Sequence, residues 1–157
     1  MKILAIDPGP LQSAYVVLDG RNIHDKGIVL NADLSAMIPG QIHSHFLYIE
    51  MIESYGMPVG KTTFDTCVWI GRFIERYYSK YSNPDYKEHY LVYRKDIKMY
   101  FCGSMRAKDG NIRQALIDSI GPQGTKKDQG PTYGVSKDIW SALAVAVYAY
   151  DALNNQK

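Results

Sequence analysis

The chain reads as an α/β fold built around a mixed sheet, and three observations predict it. Three strand-like runs follow one another at the N-terminus. An apolar run near residue 50 is followed by a long helical pattern and one more strand. The chain then closes on a strongly apolar helix. With 157 residues, 46% of them hydrophobic and 22% charged, there is material for one compact core, so residues 1–157 are expected to form a single domain.

Residues 2–6 (KILAI) form a short apolar run that stops at the breakers Asp7-Pro8-Gly9-Pro10, as a buried strand does. Residues 13–18 and 22–30 are joined by Asp19-Gly20-Arg21. Because Asp and Gly tolerate positive φ, the junction predicts a tight hairpin and an antiparallel pair beside the first strand. A short helix fits residues 31–38, before Pro39-Gly40, and residues 46–52 (FLYIEMI) suit a central strand carrying the carboxylate Glu50. Over residues 63–80 the positions Phe64, Cys67, Val68, Gly71, Ile74 and Tyr78 follow helical spacing. Trp69, Phe73 and Tyr77 make a second stripe at i, i+4 and i+8, so this helix has apolar surface for two interfaces.

Asn83-Pro84-Asp85 breaks the chain, residues 90–93 form the last strand, and shorter helices fit residues 96–101 and 110–120. Residues 121–134, rich in Gly, Pro and Lys, read as a mobile loop that orders on binding. A helix over residues 137–153 closes the chain.

The balance of 18 Lys and Arg against 16 Asp and Glu gives a net charge of +2, too small to announce a nucleic-acid partner, so charge placement must carry that argument. Cys67 and Cys102 form no CxxC pair and read as reduced structural thiols rather than a disulfide or zinc site. The first apolar run is broken at Asp7, unlike a signal or transit peptide, and no stretch approaches the ~20 apolar residues of a membrane span. A soluble, intracellular protein without a membrane partner is expected.

Three carboxylates stand at element ends beside apolar sequence: Asp7 after the first strand, Glu50 near the end of the fourth, and Asp138 at the start of the last helix. Each also has an ordinary reading. Asp7 could open a turn, Glu50 could sit on a rim, and Asp138 could favour the helix dipole behind an N-cap at Ser136. Gathered together, however, such carboxylates repel unless cations neutralise them, and the matching partner is a hard ion such as Mg²⁺. Two such ions about 4 Å apart activate water and stabilise the leaving oxygen in phosphodiester hydrolysis. Ala142, Val145 and Ala149 continue the helix face of Asp138, which predicts that its side chain points toward the sheet. Asp151 lies roughly 20 Å further along the axis and cannot replace it. Glu53, three residues after Glu50, falls on the opposite face if the strand continues, and ranks as a reserve ligand.

KILAIDPGP, the segment IEMIESYGMPVGKTTFDTCVWIGRF from Ile49 to Phe73, and GVSKDIWSALAVAVYAYD from Gly134 to Asp151 together resemble the RuvC-type Holliday junction resolvases, particularly bacteriophage-type members. The resemblance spans nearly the whole chain, and its middle segment is more specific than the short Asp-Pro-Gly signal. It implies an RNase H-like mixed five-stranded sheet flanked by helices. It also implies Mg²⁺-dependent cleavage of branched DNA, with Mn²⁺ as a substitute, and a homodimer presenting two active sites to a four-way junction. The matching location is bacterial cytoplasm, or host cytoplasm for a phage protein.

Asp7, Glu50 and Asp138 match the family's acidic metal ligands. Ser141 stands where many relatives place a fourth acid, and as a neutral, weaker ligand it puts the second metal position in doubt. RAKDGNIRQAL, from Arg106 to Leu116, resembles the stretch bearing a functional lysine, which matches Lys108. Lys95, Lys98, Arg106, Lys108, Arg113, Lys126, Lys127 and Lys137 could contact phosphates around the acidic site, or be scattered solvated charge. An aromatic that relatives carry shortly after the strand-four glutamate is replaced by Glu53, with Tyr55 as its substitute. The competing functions are a nuclease for other branched DNA or an RNA/DNA hybrid, and a catalytically weak junction-binding protein.

Overall fold

The computed structural model describes residues 1–54, 56–79 and 88–155. Tyr55, Lys80 and the Asn83-Pro84-Asp85 break lie outside the described residues. In chain order the elements are β1 (Lys2–Asp7), β2 (Gln12–Asp19), β3 (Asn22–Leu30), α1 (Asn31–Gly40), β4 (Phe46–Met51), α2 (Lys61–Ser79), β5 (Glu88–Tyr93), α3 (Arg94–Cys102), α4 (Asp109–Ile120) and α5 (Ile139–Asn154). The strands form one five-stranded sheet in the order β3-β2-β1-β4-β5. β1 pairs antiparallel with β2 and parallel with β4, and β4 pairs parallel with β5, which makes the sheet mixed as predicted.

The alternation of side chains along a strand divides the core in two. Ile3 and Ala5 of β1 face α5, together with Ala14, Val16, Tyr48 and Val92. Leu4 and Ile6 face the other way, onto Leu34 and Ile38 of α1 and Ile70, Phe73 and Tyr77 of α2. Both sides of β1 are therefore covered, which is why its sequence is apolar throughout. Ala142, Ala146 and Ala149 are fully buried where α5 lies over β1 and β2; their small side chains let the helix approach the sheet closely. Buried on nearly every side, α5 is apolar all round. Among the described residues, no helix is long and apolar enough to cross a membrane.

Several details differ from the sequence-based expectations. The hairpin loop is Gly20-Arg21, with Asp19 paired to Asn22, and only Gly20 takes positive φ, at 61°. Pro39 lies inside α1, in its last turn. On α2 the two apolar stripes are not equally available to a partner. Phe73 and Tyr77 are 0% and 2% exposed and Trp69 packs beside them, whereas Phe64 and Val68 are 60% and 55% exposed. The Trp69-Phe73-Tyr77 stripe thus belongs to the intramolecular core, where burial of a ring such as Phe73 contributes about 1.5–3 kcal/mol.

Residues 121–134 are not a loose loop. Gly124 and Gln129 form a bridge, the Gly130 amide donates to the Gln123 carbonyl at 2.9 Å, and Thr132 Oγ1 donates to the Gly121 carbonyl at 2.9 Å. A Cβ on Gly130 would stand 1.9 Å from the Pro122 carbonyl oxygen, so the close turn requires glycine. Helix α5 starts at Ile139, two residues later than expected. Ser136 does not begin it but accepts the Ile139 amide through its carbonyl, and Lys137 takes φ 47° in the turn between them. Cys67 and Cys102 are free and half-buried.

Candidate active site

Asp7 ends β1 and Glu50 is the next-to-last residue of β4. These strands run parallel with Ile6 opposite Ile49, so continuing the register puts Asp7 beside Glu50 at the C-terminal edge of the sheet. Alternation places both on the α5 face: Asp7 follows Ile3 and Ala5, and Glu50 follows Phe46 and Tyr48. The two carboxylates line a cavity of about 210 Å³ together with Pro8, Met51, Ile52, Glu53 and Arg94.

A buried polar ring holds the turn that carries Asp7. The Gly9 amide donates to Ser13 Oγ at 3.2 Å, Ser13 Oγ donates to Asn31 Oδ1 at 2.6 Å, and Asn31 Nδ2 returns to the Gly9 carbonyl at 2.8 Å. Ser13 and Asn31 are almost completely buried, so a displaced turn would leave their polar groups unsatisfied.

The Asp7 carboxyl is pushed up to about 7, by burial first and then by the charges of Glu50 and Asp138, against the lowering effects of the Arg94 charge and a hydrogen bond with Ser141. Burial also raises Glu50, against the opposing charge and hydrogen bond of Arg94. These interactions bring Asp7, Glu50 and Asp138 into one electrostatic neighbourhood. Asp138 itself is exposed: it precedes the first turn of α5 and makes no side-chain capping bond. This exposure corrects the expectation that the helix face would shelter it from solvent. Ser141, one turn into α5, donates its hydroxyl to Asp7 instead of supplying a fourth acid.

Glu53 is also placed differently from the expectation. Strand β4 ends at Met51, so alternation no longer governs position 53, and Glu53 lines the same cavity as Asp7 and Glu50. Its Oε1 accepts from Lys95 Nζ at 2.8 Å, while its Oε2 is buried without a hydrogen-bond partner.

Arg94 and Asp109 were not singled out by sequence reasoning. Arg94 Nη1 lies 3.3 Å from Glu50 Oε2, and Nη2 donates to Asp109 Oδ1. The signal was present in the strand order: β5 flanks β4, Val92 is the register partner of Glu50, and Arg94 follows two residues later. Asp151 is distant from this site in its contacts, pairing with Arg21 at 2.6 Å and accepting from Tyr100 Oη at 2.7 Å.

The predicted basic residues fall into several groups. Lys98 is close enough to act on the charge of Glu50, and Lys95 also lies 5.1 Å over the Tyr93 ring. Arg106 and Lys108 are exposed on either side of buried Ala107, and the Lys108 amide donates to Asn111 Oδ1 at 2.9 Å where α4 begins. Arg113 and Lys137 line a separate cavity of about 250 Å³ with Asp109, Gly110 and Trp140. Lys126 and Lys127 are exposed between Gly124 and Gln129, the bridged residues of the loop.

The oxygen-rich donors at this cavity, with one carboxylate oxygen orphaned and Asp7 destabilised by its acidic neighbours, fit a hard divalent ion. As they stand, no three His, Cys, Asp or Glu side chains among the described residues are grouped closely enough to hold one. Glu50 is engaged by Arg94.

The sheet order and its flanking helices define an RNase H-like α/β fold. Within that class the chain is similar to the solved structure of Thermus thermophilus RuvC, at a TM-score of 0.71 and 14% identity, covering 99% of this chain and 97% of that one. The T. thermophilus RuvC structure in complex with a Holliday junction substrate aligns at a TM-score of 0.71 and 13% identity, covering 99% and 96% of the two chains. No protein-family model and no curated protein matches the sequence.

Proposed function

We propose that this protein is a metal-dependent endonuclease that cuts branched DNA, resolving four-way Holliday junctions by paired symmetric nicks. The observation that carries this reading is the meeting of Asp7 and Glu50 at the ends of adjacent parallel strands, in one cavity and beside Asp138, on an RNase H-like sheet. Support for the substrate class comes from the similar T. thermophilus RuvC structure that holds a Holliday junction. In this reading the protein is a crossover junction endodeoxyribonuclease of the bacteriophage type, acting in bacterial or infected-host cytoplasm.

Asp7, Glu50 and Asp138 would hold Mg²⁺, or Mn²⁺ in its place. The bound ion supplies activation of the attacking water and stabilisation of the leaving oxygen. Lys108, exposed where α4 begins, would steady charge developing on the scissile phosphate. Lys95, Lys98, Arg106, Arg113, Lys126, Lys127 and Lys137 would position the strands through their phosphates. Two copies of the chain would present two such sites to the symmetric strands of a junction.

The test is incubation with synthetic four-way junction, flap, duplex and RNA/DNA hybrid substrates in Mg²⁺, Mn²⁺ or EDTA. Symmetric nicks in the junction, dependent on metal, are expected. Cleavage of flaps or hybrids in preference would reassign the substrate, and metal-independent nicking would remove the carboxylate mechanism.

A further inference from the structure

We propose that Arg94 is a built-in counter-cation that holds Glu50 before a divalent ion arrives and must be displaced for that ion to bind. The proposal rests on the metal-dependent reading of the same cavity. It starts from the fork of the guanidinium, whose two nitrogens reach different carboxylates on different elements: Glu50 on β4 and Asp109 at the start of α4.

The two arms are unequal. Glu50 is the inner partner, its side chain 16% exposed, and Asp109 is the outer one at 82%. An ion pair in the sheltered position is weakly screened, so Arg94 can offset much of the repulsion between Glu50 and its acidic neighbours. The inner contact is nevertheless long at 3.3 Å, against ~2.7–2.9 Å for a well-formed charged hydrogen bond. A monovalent, planar cation on one Glu50 oxygen is thus a weaker match than a doubly charged ion drawing on several carboxylate oxygens.

Arg94 pairs with Glu50 in the same cavity that Asp7, Glu50 and Glu53 line, so the cation sits where a divalent ion would draw on those oxygens. When displaced, Arg94 keeps its anchor on Asp109 at the rim, so exchange requires a side-chain swing rather than movement of α3. Arg94 is a positioning residue in this scheme: it acts through Glu50 and through the ion that replaces it.

The test measures metal binding without DNA. Mn²⁺ is titrated by calorimetry into the intact wild-type protein, Arg94→Gln, Arg94→Lys and Asp7→Asn, each checked for folding by circular dichroism in EDTA. Removing the competing charge should tighten Mn²⁺ binding about tenfold in Arg94→Gln, within the usual range of coupling between two ligands of one site. Arg94→Lys keeps the charge but loses the fork, and should fall between Arg94→Gln and wild type; it carries the test if Arg94→Gln does not fold. The rise in melting temperature on adding Mn²⁺ should follow the same order. Unchanged or weaker binding in both Arg94 variants, with wild-type binding that Asp7→Asn abolishes, would overturn the counter-cation and leave the metal site standing. Wild-type protein that binds no Mn²⁺, or binds it regardless of Asp7→Asn, would overturn both.

Discussion

Asp7 is subject to two opposed demands, and they make it the most informative residue to change. Burial and neighbouring acids disfavour its charge, yet the proposed role as a metal ligand requires it ionised. Asp7→Asn keeps the side-chain shape while removing the charge. Cleavage of a four-way junction in Mg²⁺ is expected to fall at least about 100-fold, the scale on which loss of one group stabilising developing charge is felt. Junction affinity in Ca²⁺, read by gel shift, should hold or tighten slightly because one repulsive carboxylate is gone. Near wild-type nicking by Asp7→Asn would remove Asp7 from the site. The same variant gives a pH test in EDTA. The folded carboxyl titrates near 7 against an ordinary 3.8, so its contribution to stability is fully present below about pH 4 and is lost as pH rises through 7. Asp7→Asn should therefore melt higher than wild type at pH 8, by up to a few kcal/mol, with the gap closing toward pH 4. A gap that stays constant across that range would mean that the site does not strain Asp7.

At the scale of the element, the Gly9-Ser13-Asn31 ring ties the turn after β1 to β2 and to the first residue of α1. Asn31→Ala removes the acceptor of the buried Ser13 hydroxyl proton and the amide donor to the Gly9 carbonyl, a loss expected to cost about 1–3 kcal/mol in urea unfolding. Stability within a few tenths of wild type would show that water replaces the amide. This ring was not legible in the sequence, because Ser and Asn near Pro and Gly fit any turn, and only the tertiary approach of α1 buries them. Helix α2 was legible in type but not in orientation. Its inward stripe is Thr66, Ile70, Phe73 and Tyr77, regular helical spacing that begins on a polar residue. Thr66 is tolerated there because its Oγ1 donates to the Thr62 carbonyl at 2.8 Å, a local bond that no hydropathy pattern records. The strands and the antiparallel pairing of the first three were easier to read, since short apolar runs and a hairpin turn between Gly, Pro and Asp breakers leave few alternatives, whereas the parallel pairings of β4 were not legible. For the site, Asp7 and Glu50 could be found from their strand ends. Arg94 required the knowledge that β5 lies next to β4.

For the whole molecule, the Trp69-Phe73-Tyr77 stripe packs onto the core of its own chain, so apolar surface on α2 for a second copy lies on the opposite side of the helix. There Phe64 and Val68 are large, apolar and more than half exposed, four residues apart on one helical face. Two symmetric strands of a junction require two active sites at fixed separation, and a two-fold contact through one patch provides it, since each copy offers the same surface. The wild-type protein is therefore expected to scatter light as twice the monomer mass at micromolar concentration. Phe64→Glu combined with Val68→Glu should yield monomers: four carboxylates would have to be buried without partners across a two-fold contact. Because both positions are exposed within one chain, the fold should be little affected, with changes near ±0.5 kcal/mol per site. Such a monomer should still nick junctions singly in Mg²⁺, but without coordinated cuts in opposing strands. Linear duplex products from a plasmid-borne junction, formed by the double variant at the wild-type rate, would show that paired cleavage does not depend on this face. A wild-type monomer that nonetheless cuts in pairs would exclude the dimer altogether.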